Sequence, residues 1–210
     1  MTLIKICGLT NLDDALAAVD AGADALGFNF YRPSSRYITP HAARRIIEQL
    51  PDPILTVGVF VNESSEDLKA IAKDAGLKAL QLHGDESPDY CRELNDWFVI
   101  KTFAVKEGFD ETSASRYEVN AIMLDAGHKE LKGGTGQVID WSIARRVRSQ
   151  GKPMFLAGGL SPENVSEAIR TVQPYAVDSC SALESAPGTK DHNRVKAFVK
   201  VVRSLNLQGI

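Results

Sequence analysis

No stretch of the chain approaches the roughly 18 to 20 consecutive apolar residues of a membrane span, and none is dense in lysine or arginine. The first absence leaves no membrane partner to expect. The second, with 24 Lys and Arg against 27 Asp and Glu and a formal net charge of -3, removes the electrostatic signature of nucleic-acid binding. Only three cysteines occur, Cys7, Cys91 and Cys180. They are odd in number, widely spaced and without a C-x-x-C pair, so no disulfide framework is expected and a reducing cytoplasm fits best. The four histidines, His41, His83, His128 and His192, show no H-E-x-x-H or other close spacing, and no metal site is expected. A linker, a low-complexity tract and a second domain are also missing. With 210 residues, 44% hydrophobic and 24% charged, the chain has ordinary globular composition, and one domain over 1–210 is expected. Met1-Thr2-Leu3-Ile4-Lys5 leads straight into an apolar run and does not read as a signal peptide.

What is present is a regular alternation. Eight short apolar runs rich in β-branched residues are separated by segments with helical patterning: 3–7, 25–30, 54–61, 79–83, 98–103, 121–125, 154–157 and 175–179. Leu12, Ala15, Leu16 and Val19 fall at helical spacing, as do Val195, Phe198, Val199 and Val202. Thr39-Pro40, Ser87-Pro88 and Ser161-Pro162 each place a capping hydroxyl before a proline suited to the first helical turn. The weakest helical pattern lies over 106–118. Eight strands, each followed by a crossover, predict a parallel sheet closed into a (β/α)8 TIM barrel with short loops.

Strand side chains alternate, so fixing one fixes its neighbours. If Ile4, Ile6, Leu26, Phe28, Leu80, Leu82, Ile122 and Leu124 pack outward on helices, then Lys5, Cys7, Gly27, Asn29, Gln81, His83 and Asp125 face the barrel axis. Several of these end their strands, at the face where barrel active sites sit. A packed core alone would not gather Cys7, Asn29, His83 and Asp125 there.

Each candidate has a plain reading and a chemical one. Cys7 is either a small buried thiol or a base at the barrel mouth, with Thr10 expected to cap the following helix and lend its dipole. Asp125 either caps a loop or acts as a general acid between apolar walls, with the glycines of Gly133-Gly134-Thr135-Gly136 letting the loop close over a ligand. The company of a thiol and a carboxyl at one mouth favours chemistry. Gly158 and Gly159, after the seventh strand, let backbone N–H groups approach an anion, and Asp178 to Ala182, including Ser181, lies in the adjacent loop. Arg36 is a solvated loop arginine or a fork for a carboxylate. His83 reads first as a hydrogen-bonded inner residue, and second as a group touching substrate.

Taken in order, Lys5-Ile6-Cys7-Gly8, Gly27-Phe28-Asn29-Phe30, Pro33-Ser34-Ser35-Arg36, Gln81-Leu82-His83-Gly84, Leu124-Asp125, Gly133-Gly134-Thr135-Gly136 and Leu156-Ala157-Gly158-Gly159-Leu160 resemble the signatures of the phosphoribosylanthranilate isomerases. The resemblance implies a cofactor-free Amadori rearrangement of a phosphorylated small molecule in tryptophan biosynthesis. It implies Asp125 as general acid, Cys7 as general base, Arg36 on the anthranilate carboxylate, and the backbones of Gly158-Gly159 and Ser181-Ala182 on phosphate. It leaves the assembly open between monomer and homodimer.

The chain departs from the family pattern after strand eight. Val177-Asp178-Ser179-Cys180-Ser181-Ala182-Leu183-Glu184 stands where the family usually has Val-Asp-Val-Ser-Ser-Gly-Val-Glu. Ala182 for glycine disfavours any positive-φ conformation there, and Cys180 for serine replaces a stronger donor, so weaker phosphate binding is expected. Two alternatives stay open on residues alone. One is a neighbouring barrel enzyme, an indole-glycerol-phosphate synthase needing a lysine acid or a metal-dependent epimerase. The other is a barrel that binds a phosphorylated ligand without turning it over.

Overall fold

The computed structural model describes residues 1–106, 108–125 and 141–209. All eight expected strands form: β1 (Leu3–Ile6), β2 (Ala25–Asn29), β3 (Leu55–Phe60), β4 (Ala79–Leu82), β5 (Phe98–Ala104), β6 (Ala121–Asp125), β7 (Met154–Leu156) and β8 (Ala176–Ser179). They pair in parallel in sequence order, and β8 returns to β1, so the sheet closes into a barrel. Outside lie α1 (Leu12–Ala21), α2 (Pro40–Ile47), α3 (Ser65–Ala75), α4 (Pro88–Arg92), α5 (Trp141–Arg148), α6 (Val165–Val172) and α7 (His192–Leu207). A short hairpin, β9 (Glu184–Ala186) with β10 (Thr189–Lys190), is inserted between β8 and α7. No helix among the described residues is long and apolar enough to cross a membrane.

The alternation of the strands sorts the side chains into two cores. Ile4, Ile6, Leu26, Phe28, Leu80, Leu82, Ile122 and Leu124 all join the outer cluster between sheet and helices. Ala25, Val57, Ala79, Ile100, Ala121, Met123 and Phe155 fill the barrel interior. Phe28, Leu26 and Leu80 are fully buried, each contributing about 1.5–3 kcal/mol of apolar burial. This outer packing fixes the rotation of every strand, and therefore which residues look inward.

Helix entry follows the expected chemistry at Thr39 and Ser87, whose side chains accept from Ala42 N and Tyr90 N ahead of Pro40 and Pro88. Three expectations change. Asn11, not Thr10, caps α1, and the Thr10 hydroxyl instead donates to Gly188 O at 2.6 Å, holding the hairpin. Ser161-Pro162 opens a turn, and α6 begins only at Val165. Of the span 106–118, the described residues form only a 3-10 turn, Ser113–Arg116. There the Asp110 carboxylate accepts from Thr112 N and Oγ1, and Ser115 Oγ donates to Thr112 O, local bonds that compete with a helix. Phe103 packs edge-on against Phe109 and Tyr117 and covers that side of the barrel without one.

Candidate active site

The C-terminal ends of the strands assemble the site in layers. Lowest is Lys5, fully buried, whose Nζ donates to Asp178 Oδ1 at 2.7 Å. Burial alone would lower the Lys5 pKa, but Asp178 and Cys7 outweigh it and hold the ammonium above its usual value. Asp178, read from the sequence as part of the anion loop, thus turns its carboxylate into the barrel. Strand alternation decides this: Ala176 joins the inner core, so Asp178, two residues on, faces the same way.

Cys7 lies one inward position above Lys5 and is 8% exposed. Gly27 makes room for it, since a Cβ there would lie 2.7 Å from Cys7 Sγ and 3.1 Å from Lys5 Nζ. The Cys7 thiol is lowered to about 7, first by a hydrogen bond from Cys180, against the opposing effect of burial, and then by the Lys5 charge. Cys180 is correspondingly raised, by the same hydrogen bond and by burial. A thiol half ionised at neutral pH is suited to take a proton. The following helix is capped by Asn11 and not Thr10, and the causes that lower the thiol are a neighbouring thiol and a buried ammonium.

Opposite, β6 ends on Asp125, with His83 Nε2 at 3.8 Å from its Oδ2. Gln81 Nε2 contacts His83 Nδ1 at 3.0 Å and also donates to Met123 Sδ. Burial lowers the His83 pKa despite the Asp125 charge, so the ring is neutral at pH 7. Lys5 and Asp178 act electrostatically on both His83 and Cys7, which places the two sides of the mouth in one electrostatic centre. His83, with its side chain 36% exposed at the mouth, is thus hydrogen-bonded to Gln81 and borders Asp125. The loop Gly133-Gly134-Thr135-Gly136, together with Ala126 and Gly127, lies outside the described residues.

Arg36 is held by its loop. The Asn29 carboxamide accepts from Tyr31 N and donates to Ser34 Oγ, and Ser34 Oγ accepts from Arg36 N. The guanidinium is not a freely solvated fork. Its Nε and Nη2 donate to the two carboxylate oxygens of Glu184 at 2.8 and 2.7 Å, which raises its pKa further. Lys190 Nζ, on β10, donates to the same Glu184 at 2.9 Å. Burial opposes ionisation of Glu184, but Arg36 and Lys190 outweigh it and lower its pKa. One edge of the fork is thus spent on the protein. Sequence reading missed Glu184 and Lys190; the one signal was the hairpin-forming Pro187-Gly188 beyond strand eight.

Gly158 and Gly159 follow β7 with φ of 88° and 70°, the left-handed region that glycine enters without strain. The Ser179 hydroxyl donates to Leu160 O at 2.5 Å and ties this loop to β8. Next to it, Ser181–Leu183 form a 3-10 turn. Among the described residues no protein acceptor meets the N–H groups of Gly158, Gly159, Ser181 or Ala182. Ala182 is not among the positive-φ residues, so the strain expected from replacing glycine does not arise. A separate pocket of about 580 Å³ opens at the opposite end of the barrel, lined by Thr2, Lys152 and Tyr175. No candidate residue reaches it.

The indole-glycerol-phosphate synthase reading loses support. Lys5 is paired with Asp178, and Lys101 donates to Glu86 at 2.7 Å and faces away from the axis, so neither lysine stands as an acid at the mouth. Among the described residues no cluster of three or more His, Cys, Asp or Glu is arranged to hold a metal.

Comparison with known proteins agrees with this fold. The family model described as N-(5'phosphoribosyl)anthranilate (PRA) isomerase matches residues 4–201. An N-(5'-phosphoribosyl)anthranilate isomerase of Syntrophus aciditrophicus is 48% identical, covering 100% of this chain and 90% of the relative. The crystal structure of phosphoribosyl anthranilate isomerase from Thermotoga maritima superposes with a TM-score of 0.91 at 45% identity, covering 97% of this chain and 100% of that one. A solved phosphoribosyl anthranilate isomerase in complex with reduced 1-(o-carboxyphenylamino)-1-deoxyribulose 5-phosphate gives a TM-score of 0.85 at 41% identity, with 97% and 100% covered. With matches spanning nearly its whole length, the chain belongs to the N-(5'-phosphoribosyl)anthranilate isomerase family.

Proposed function

We propose that the chain converts N-(5-phosphoribosyl)anthranilate to 1-(2-carboxyphenylamino)-1-deoxyribulose 5-phosphate in tryptophan biosynthesis, with Asp125 as acid and Cys7 as base. Asp125 gives a proton to the furanose ring oxygen; the C1–O bond breaks, and the anthranilate nitrogen lone pair forms a C=N bond to C1. Cys7 thiolate then takes the C2 proton, and the electrons of that C–H bond become a C1=C2 bond as the nitrogen regains its pair. Tautomerisation of the enol yields the ketone. The observation that carries this reading is a buried thiol, one inward position above Lys5, on the same inward face as the carboxyl that ends β6.

The remaining residues fit a substrate with an anion at each end. The Nη1 side of Arg36 suits the anthranilate carboxylate, and the N–H groups of Gly158, Gly159, Ser181 and Ala182 suit the phosphate. A catalytic free thiol fits a reducing cytoplasm. Turnover, followed as loss of anthranilate fluorescence, should fall by about 10²- to 10⁴-fold in Cys7→Ala and in Asp125→Asn while product analogue still binds. Full turnover in both variants would refute the roles.

A further inference from the structure

We infer that Cys7 and Cys180 form a peroxide-sensitive thiol pair, closing reversibly into a disulfide that removes the base from the site. Barrel closure places them together. Ile6 of β1 is in register with Ser179 of β8, and Cys7 N donates to Ser179 O at 3.0 Å. The two cysteines follow directly on the ends of β1 and β8. Neighbouring strands lie about 4.7–4.9 Å apart, inside the roughly 4.4–6.8 Å Cα separation of disulfides. Each sulfur also bears on the other's acidity: Cys180 is the first cause lowering Cys7, and Cys7 the first cause raising Cys180. Both sulfurs also line one rim: a Cβ on Gly8 would lie 2.8 Å from Cys180 Sγ, and one on Gly27 would lie 2.7 Å from Cys7 Sγ.

Their surroundings divide the roles. Cys7, ionised near neutrality above Lys5, is the attacking thiolate. Cys180, half-buried beside it, is the resolving thiol. Glu184 Oε1 at 3.8 Å is a second acceptor for its proton, and Lys190 Nζ at 3.9 Å favours negative charge on its sulfur. Cys91 is no competitor, since it sits on α4 in the outer layer with its thiol pushed up to about 11 by burial. The oxidant is a hydroperoxide. Cys7 thiolate attacks one peroxide oxygen; an S–O bond forms, the O–O bond breaks, and hydroxide leaves, oxidising the sulfur by two electrons to a sulfenic acid. The Cys180 sulfur then attacks the Cys7 sulfur; the S–S bond forms, the S–O bond breaks, and the hydroxyl leaves as water with the Cys180 proton. Serine at this position could not resolve the sulfenic acid, so the departure from the family pattern is what creates the pair.

The loss of activity rests on Cys7 as the catalytic base; formation of the cross-link does not. The reduced full chain is titrated with hydrogen peroxide, its remaining thiols alkylated, and its peptides analysed by mass spectrometry without reduction. A Cys7–Cys180 cross-linked peptide lacking the two thiol hydrogens should accumulate in step with loss of isomerase activity, and dithiothreitol should reverse both. In Cys180→Ser, measured against its own untreated activity, peroxide should drive Cys7 to sulfinic acid and dithiothreitol should restore nothing. Sulfinic acid on Cys7 without cross-link in the unaltered chain, a cross-link to Cys91, or a Cys7–Cys180 cross-link that leaves activity intact would overturn the inference. A cross-link in a chain that never turns over phosphoribosylanthranilate would instead sink the functional reading and leave the thiol pair standing.

Discussion

Replacing Cys180 by alanine removes the hydrogen bond that does most to lower the Cys7 thiol, while the Lys5 charge beneath it stays. With Cys7 acting as thiolate in the role proposed for it, activity is present above its pKa and lost as pH falls through it. With that pKa at about 7, the unaltered enzyme should lose about tenfold in kcat/KM between pH 8 and pH 6. In Cys180→Ala, burial disfavours the thiolate more than the Lys5 charge favours it, so the thiol pKa rises and the acidic limb moves to higher pH. The thiolate fraction at pH 7 then drops below the one half of the unaltered chain, so kcat/KM falls there and recovers as pH is raised. Cys180→Ser keeps an O–H donor and should hold the acidic limb near its original position. The assay is kcat/KM across about pH 5.5 to 9.5, roughly 1.5 units below the midpoint to roughly 2.5 above it, read as loss of anthranilate fluorescence. An acidic limb unmoved in Cys180→Ala, or a flat profile from pH 6 to 8 in the unaltered chain, would refute the reasoning.

Gly27→Ala should lower kcat by about tenfold to a hundredfold with the fold retained, because a Cβ 2.7 Å from Cys7 Sγ must displace the sulfur; unchanged kcat in a variant with native circular dichroism would contradict this. Glu184→Ala leaves Lys190, with a fully buried side chain, without its carboxylate and lets Arg36 swing. It should cost about 3–5 kcal/mol in urea unfolding and raise KM for the substrate; stability within about 1 kcal/mol of the original would show that the cluster relaxes or takes in water.

The inward set was legible because alternation leaves no choice. Once Ile4 and Ile6 pack outward, Lys5 and Cys7 must face the axis, and in the same way Ile122 and Leu124 turn Asp125 inward. Helix starts at Thr39 and Ser87 were readable because a hydroxyl and a following proline act within one turn. The span 106–118 misled for the same local reason in reverse: its short polar side chains bond to their own backbone, and aromatic packing supplied the cover.

By itself, the sequence determined eight strands, their inward faces and the thiol and carboxyl at their ends, since each depends on periodicity or on neighbours within a turn. Only the tertiary structure decided what those groups feel. Cys7 meets Cys180, Lys5 meets Asp178, and Arg36 meets Glu184 across 173, 173 and 148 positions of chain in turn, once the barrel closes. Coulomb and hydrogen-bond energies fall off with distance in space and take no account of distance along the chain, so the acidity of the base and the aim of the arginine exist only in the folded molecule.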